Sequence, residues 1–152
     1  MAGFASGQEA HDTFVANLKY ATEKAAALGI TILIEPLNPL NAPGYFLSST
    51  ALASEIITEV GASNLKLMFD CYHVQIIEGN ICHRMTELLP IIGHIQFAAV
   101  PGRGAPDQGE INYPFVFSHI KDSGFTGPLG AEYLPGAPTD ETLDWLPAAQ
   151  AL

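Results

Sequence analysis

Four apolar runs in this chain each carry one oxygen-bearing side chain at or near their C-terminal end. Glu35 stands in TILIEP (31–36), Asp70 closes LKLMFD (65–70), Gln96 lies in HIQFAAV (94–100) and Glu132 in PLGAEYL (128–134). Three carboxylates and an amide oxygen make a hard donor set. Such a set suits Mg²⁺ or Mn²⁺ and does not suit a structural zinc. One acid at a strand end is more often a solvated terminus or a helix N-cap. The same placement in four successive units favours a shared site. Gln96 is the weakest member, because a buried amide is readily satisfied by neighbouring backbone.

Two further residues belong with this set. His73 follows Asp70 by three positions in DCYH, which predicts a place in the loop above the same rim, binding substrate or ligating the metal. Ordinary packing is the competing reading for a lone histidine. Arg103 lies in VPGRGAPDQGEINY (100–113), among glycines that let backbone approach a ligand. Its fork fits a substrate carboxylate or hydroxyl, with a loop salt bridge to Glu110 or Asp107 as the alternative. Asn38, Tyr45 and Tyr133 are weaker candidates for the pocket wall. His11, His83, His94 and His119 read as surface or packing residues.

The elements that must position these groups follow from periodicity. Ser6 with Glu9 makes a capping box, and Phe14, Leu18, Ala21, Ala25 and Leu28 line one helical face before Gly29. Ser49 caps a second helix with Leu52, Ile56 and Val60 inward, closed by Gly61. A further helix is expected between about Gly79 and Leu89. Asn112 caps the next, with Pro114 in its first turn and its end at Gly124. Thr139 starts a last helix that holds Leu143 and Leu146. The apolar runs between these helices read as strands covered on both faces, hence an α/β fold with a parallel sheet. A flavodoxin-like open sheet and part of a TIM barrel both fit that alternation. The polar strand ends favour the barrel, whose active sites lie on the C-terminal rim. Strands spaced about 4.8 Å apart would let the four side chains converge.

Composition narrows the function class. The chain has 152 residues, and 16 Asp plus Glu against 6 Lys plus Arg give a formal net charge of −10. That balance repels phosphate-coated partners, so no nucleic acid and no anionic membrane surface is expected as a partner. No apolar run reaches the roughly 20 residues of a membrane span, and MAGFASGQEAHDTF lacks the pattern of a signal peptide. A cytoplasmic location is the resulting expectation. Cys71 and Cys82 have no metal-type spacing and read as reduced structural thiols.

The segments IEPLN, DCYHVQIIEGN, HIQFAAVPGRG, GEINYPFVF and GAEY, in this order, resemble the hydroxypyruvate isomerase family within the xylose-isomerase-like TIM barrels. The resemblance runs from Met1 to about Trp145. It implies parallel (β/α) units of a TIM barrel, about the last four strands, in one partial-barrel domain covering residues 1–152. It also implies a divalent metal held at Glu35, Asp70, Gln96 and Glu132, with Glu35 and Glu132 as proton donor and acceptor. His73 and Arg103 match substrate-contacting positions. The implied reaction interconverts hydroxypyruvate and tartronate semialdehyde, or a related 2-oxo acid sugar, through a metal-stabilised enediolate.

Two rival readings share the site: a catalytically inactive half-barrel that binds metal or a partner chain, and a ketose 3-epimerase. Such barrels take about 250 residues. Four βα units leave sheet edges and one strand face open, which predicts a homo-oligomer or a complementing chain.

Overall fold

The alternating pattern resolves, in a computed structural model that describes residues 7–150, into a four-stranded parallel sheet in the order β1-β2-β3-β4 with helices between the strands. The strands are β1 (Ile32–Ile34), β2 (Leu65–Asp70), β3 (Ile92–Phe97) and β4 (Leu129–Ala131). The helices are α1 (Gln8–Ala26), α2 (Thr50–Val60), α3 (Cys71–Ile77), α4 (Ile81–Leu88), α5 (Tyr113–Asp122) and α6 (Leu146–Gln150). Each neighbouring pair of strands is parallel and consecutive in sequence, which is the arrangement of successive units in an α/β barrel.

Local chemistry explains most boundaries. The Ser49 hydroxyl accepts from Leu52 N at 3.1 Å and starts α2, and Gly61 ends it at φ 66 in the left-handed region that glycine tolerates. The Asn112 side-chain Oδ1 accepts from Phe115 N at 3.3 Å and starts α5. Ser6 lies outside the described residues; the residue that precedes α1 is Gly7, with no side-chain cap.

Four expectations are corrected. Leu28 is 75 % exposed, because α1 stops at Ala26 and the inward face is Ala10, Val15, Leu18, Thr22 and Ala25. A helix, α3, begins directly after Asp70, so His73 is in a helical first turn and not in a loop. The expected helix from Thr139 is a 3₁₀ turn, Thr139–Thr142, followed by the short α6. Between them Trp145 packs edge-on against Phe97 at 5.5 Å, joining a ring cluster with Tyr113 and Phe117. The strand ends also move: β3 begins at Ile92 and stops at Phe97, and β1 and β4 stop just short of Glu35 and Glu132.

The sheet has two unlike faces. Ile34, Leu65, Leu67, Phe69, Ile95 and Phe97 are buried against the helices, each worth about 1.5–3 kcal/mol of apolar burial. Leu33, Lys66, Met68, His94 and Gln96 alternate with them and are half-buried. A register slip between Leu67 and Met68 decides which residues share the second face. Leu67 pairs with Ile92, yet Asp70 pairs with Gln96. Without the slip Asp70 would lie opposite Ile95, whose side chain is fully buried among the helices. Gly93 sits at the irregularity. A Cβ there would lie 2.7 Å from Lys66 Cβ and 2.8 Å from Leu33 Cδ2. Among the described residues no helix is long and apolar enough to cross a membrane.

Candidate metal and acid–base site

Glu35 is the first residue past β1, and Pro36 follows it. Its carboxylate is one-quarter exposed, but Oε1 is buried and has no hydrogen-bond partner. Asp70 is both the last residue of β2 and the N-cap of α3. Its Oδ1 accepts from Tyr72 N at 2.9 Å, which fixes the rotamer and leaves Oδ2 buried without a hydrogen bond. Gln96, opposite Asp70 in β3, likewise has a buried, unpaired Oε1. Gly130 lies beside it, and a Cβ there would meet His94 Nε2 at 3.0 Å. Glu132 extends β4, its N–H donating to Phe97 O at 3.2 Å, and its carboxylate is more than half exposed.

The His73 ring is 2 % exposed, with Nε2 3.9 Å from Glu35 Oε1 and 3.8 Å from Asp70 Oδ2. Arg103 Nη2 donates to Glu132 Oε2 at 2.7 Å and lies 3.6 Å from Asp70 Oδ2. The competing salt bridges to Glu110 and Asp107 do not form; Glu110 instead accepts from Gln75 Nε2 at 3.3 Å. The Arg103 loop is tied down by Ala99 N to Gly104 O at 3.0 Å, Glu110 N to Val100 O at 2.9 Å and Leu134 N to Arg103 O at 2.7 Å. The structure thus gathers Glu35, Asp70, His73 and Arg103, with Gln96 opposite Asp70 and Glu132 joined through Arg103.

The electrostatics follow from this crowding. Burial, then the charges of Asp70 and Glu132, raise the Glu35 carboxyl to about 7, against the smaller opposing pull of Arg103. Burial raises Asp70 to about 6, although the Tyr72 N–H and Arg103 favour its ionised form. Burial, reinforced by Arg103, lowers His73 to about 4, so the ring is neutral at physiological pH.

Three buried oxygens without partners, Glu35 Oε1, Asp70 Oδ2 and Gln96 Oε1, are costly, at about 1–3 kcal/mol each. A hard divalent cation answers that cost, so the donor set fits the expected Mg²⁺ or Mn²⁺. Glu35, Asp70 and His73 also offer one atom each within 4.8 Å of one another.

A cleft of about 420 Å³ beside this set is lined by Asn41, Tyr72, Arg103, Glu132 and Tyr133, among others. Tyr133 is there as expected. Asn38 is not on the wall; it is fully buried behind His73. Tyr45 is 41 % exposed, and burial with the nearby Glu35 charge raises its hydroxyl. Tyr72 and Asn41 were not singled out from sequence. The Tyr72 ring lies 5.0 Å beneath the Arg103 guanidinium, and its hydroxyl donates to Asn41 Oδ1 at 2.8 Å. Its position between Asp70 and His73 in DCYH was the available signal. His11, His83 and His119 pair with Glu59, Glu87 and Thr86 away from the site. Cys71 and Cys82 are both free, with Cys71 buried.

A parallel sheet with its polar set on the C-terminal rim is the arrangement of a (β/α) barrel, and the family profile described as Xylose isomerase-like TIM barrel matches residues 1–149. The chain belongs to that family. Among curated xylose isomerase-like barrels it is 48 % identical over 134 residues to the 2-oxo-tetronate isomerase of Cupriavidus necator, covering 88 % of this chain and 52 % of the relative. It is 42 % identical over 145 residues to the hydroxypyruvate isomerase of Escherichia coli, covering 95 % and 56 %. A crystal structure named as an AP endonuclease, family 2, from Brucella melitensis superposes with TM-score 0.87 at 39 % identity, covering 90 % of this chain and 53 % of that one. This xylose isomerase-like chain therefore spans about half the length of the relatives it matches.

Proposed function

We propose that this chain carries the metal and acid–base half of an isomerase that interconverts hydroxypyruvate and tartronate semialdehyde, or a related 2-oxo acid sugar such as a 2-oxo-tetronate. The observation that carries the reading is that three buried oxygens, Glu35 Oε1, Asp70 Oδ2 and Gln96 Oε1, lie unpaired at or near the C-terminal ends of neighbouring strands. The names of the relatives supply the substrate class. Glu35, Asp70, Gln96 and Glu132 would hold Mg²⁺ or Mn²⁺, which supplies positive charge against the enediolate that forms on the substrate.

The chain's own residues do the rest. Moving a carbonyl to the adjacent carbon takes a proton from one carbon and returns one to the next, while the hydroxyl proton passes from the oxygen that becomes the carbonyl to the one that ceases to be. Glu35 and Glu132, just past the ends of β1 and β4, are the two exchangers. Arg103 holds Glu132 in place and lines the cleft, where a substrate carboxylate would sit. His73, neutral and buried, presents Nε2 to Glu35 and Asp70. A nucleic-acid substrate fits poorly with a net charge of −10. Residues 1–152 act in this reading as one partial-barrel domain. Its half-buried sheet face is completed by a second copy or by a complementing chain.

Titration calorimetry with Mn²⁺ on the chain and on Asp70→Ala, with hydroxypyruvate turnover followed by NMR, tests the proposal. A metal site that weakens at least tenfold in the variant, with turnover of the keto acid, is the expected result. Metal binding without turnover in any assembly would favour the inactive half-barrel, and equal affinity in both proteins would remove Asp70 from the site. Inversion of a hydroxyl carbon in a free ketose, with no action on keto acids, would instead identify an epimerase.

A further inference from the structure

Asn38 follows Leu37 in the segment after β1, has no exposed surface, and accepts from Ala42 N at its backbone carbonyl at 3.0 Å, while its N–H and side chain make five further hydrogen bonds. Its side-chain oxygen accepts from Leu40 N at 3.1 Å and Asn41 N at 3.0 Å. That Asx turn fixes which end of the amide is oxygen. The Nδ2 group therefore has its two protons for two acceptors. One is Asn41 Oδ1 at 2.8 Å, which also accepts from the Tyr72 hydroxyl. The other is His73 Nδ1 at 2.8 Å. The backbone N–H of Asn38 points at the same His73 Nδ1 from 3.0 Å.

A ring nitrogen facing two donors offers a lone pair and has no room for a proton of its own. The single proton of the neutral imidazole then resides on Nε2. Nε2 is the atom that faces Glu35 Oε1 and Asp70 Oδ2 at 3.9 and 3.8 Å. A metal ligand needs a lone pair at the coordinating nitrogen, and this one carries hydrogen. The cluster of Glu35, Asp70 and His73 is close enough for a cation by distance alone, but the hydrogen-bond directions give its three members different roles.

We propose that Asn38 is a positioning residue that holds His73 as the Nε2–H tautomer, so that this imidazole donates a hydrogen bond into the site and does not ligate the metal. The inference rests on the functional reading above only for what the donated bond meets. The tautomer itself follows from the Asn38 geometry. Asn41 and Tyr72 extend the same chain of hydrogen bonds to the cleft wall beneath Arg103. A substrate oxygen at the rim would thus be met by Nε2–H on one side and by the Arg103 fork on the other.

The test is ¹⁵N NMR of the full chain with labelled histidine at pH 8, with the His73 signals assigned by His73→Gln. The wild-type ring should show a protonated Nε2 and a bare Nδ1, and saturating Mg²⁺ should leave that proton in place. A bare Nε2, with or without Mg²⁺, would overturn the proposal. In Asn38→Asp an acceptor replaces the Nδ2 donor while the backbone N–H still faces Nδ1, so the Nε2–H tautomer should lose population to forms with a proton on Nδ1; an unchanged spectrum would remove the side chain from this role. Should that variant not fold, the wild-type spectrum alone still decides the tautomer. In an active assembly Asn38→Asp should lower kcat by about 10- to 100-fold, as expected for a lost outer-shell partner, with little change in Mg²⁺ affinity. Absence of metal binding or turnover in the wild type would defeat the isomerase reading while leaving the tautomer result intact, so the two fail separately.

Discussion

Replacing Glu35 by Gln should stabilise the metal-free protein at alkaline pH while damaging its chemistry. The carboxyl rises from an ordinary 4.5 to about 7 on folding, through burial and the charges of Asp70 and Glu132. At about 1.4 kcal/mol per pH unit, this is about 3 kcal/mol against the ionised form. The side chain is 25 % exposed, so solvent screening reduces the figure to about 2 kcal/mol. The sign follows from proton binding. Between 4.5 and about 7 the folded state holds a proton that the unfolded state has released. The stability of the wild type is therefore greatest below 4.5, as far as Glu35 is concerned, and falls as pH rises through about 7. Glutamine has no such dependence. Asp70, raised from 3.8 to about 6, continues to contribute in both proteins. Urea unfolding at pH 5 and pH 8, each in EDTA, reads the difference directly. Glu35→Gln should gain about 2 kcal/mol on wild type at pH 8 and much less at pH 5. Saturating Mn²⁺ at pH 8 should stabilise the wild type, by about 2.7 kcal/mol at 100 times Kd, and the variant less. Identical pH slopes for the two proteins in EDTA would show that Glu35 ionises freely and that its burial costs nothing.

Metal affinity should tighten about tenfold from pH 6 to pH 8, because binding must displace the proton of a carboxyl raised to about 7; calorimetry in buffers of different ionisation enthalpy counts the released protons. Glu132→Gln, in any assembly that turns over, should lose on the order of 10²-fold or more in kcat, with a smaller loss of metal affinity measured by titration. Gly93→Ala should cost about 1–3 kcal/mol in urea unfolding, since its Cβ would meet Lys66 and Leu33, and should weaken Mn²⁺ binding if the register slip is what sets Gln96 opposite Asp70. Light scattering across a concentration series should show self-association, because β1 and β4 end the described sheet without partners; a monodisperse monomer with full isomerase activity at nanomolar concentration would refute that reading.

The parts of the fold legible in the sequence are those governed by short-range chemistry. The apolar runs bearing Glu35, Asp70, Gln96 and Glu132 contain the four strands. Ser49 and Asn112 announce α2 and α5 because each cap is a bond to a residue three positions on. The junction at Asp70 was not legible. DCYHVQII has the β-branched, apolar look of a continuing strand, and no Gly or Pro separates it from LKLMFD. What turns the chain is the Asp70 carboxylate capping α3, a role that a strand-end acid need not have. Long-range pairings were hidden for a different reason. Arg103 and Glu132 stand 29 residues apart, and nearer acids in its own loop looked like equal partners. Asn38 and His73 are separated by 35 residues, and an asparagine after Pro36 reads as turn chemistry, which it also is. The slip at Gly93 leaves no trace in the alternation of a six-residue strand.

The two faces of the sheet explain how a partial barrel can position the candidate site. The helix-side face, with Leu65, Leu67, Phe69, Ile95 and Phe97 essentially dry, supplies the burial that fixes strand order and register. Residues on the other face inherit their positions from that register and need few contacts of their own. Asp70 illustrates the division: one oxygen is committed to capping α3, and the other is left for whatever occupies the rim. Placement of the oxygens is therefore secured by β1 to β4 alone. What the half-buried face lacks is the exclusion of water, since Glu132 and Arg103 remain solvent-accessible at the cleft. Electrostatic contacts gain strength as water leaves. On this argument the metal should bind to the isolated chain, and covering the face should chiefly raise turnover. The dependence of kcat on protein concentration, set beside a metal affinity that does not depend on it, separates those two contributions; a metal affinity that rises in step with self-association would show instead that the ligand set is itself completed by the covering chain.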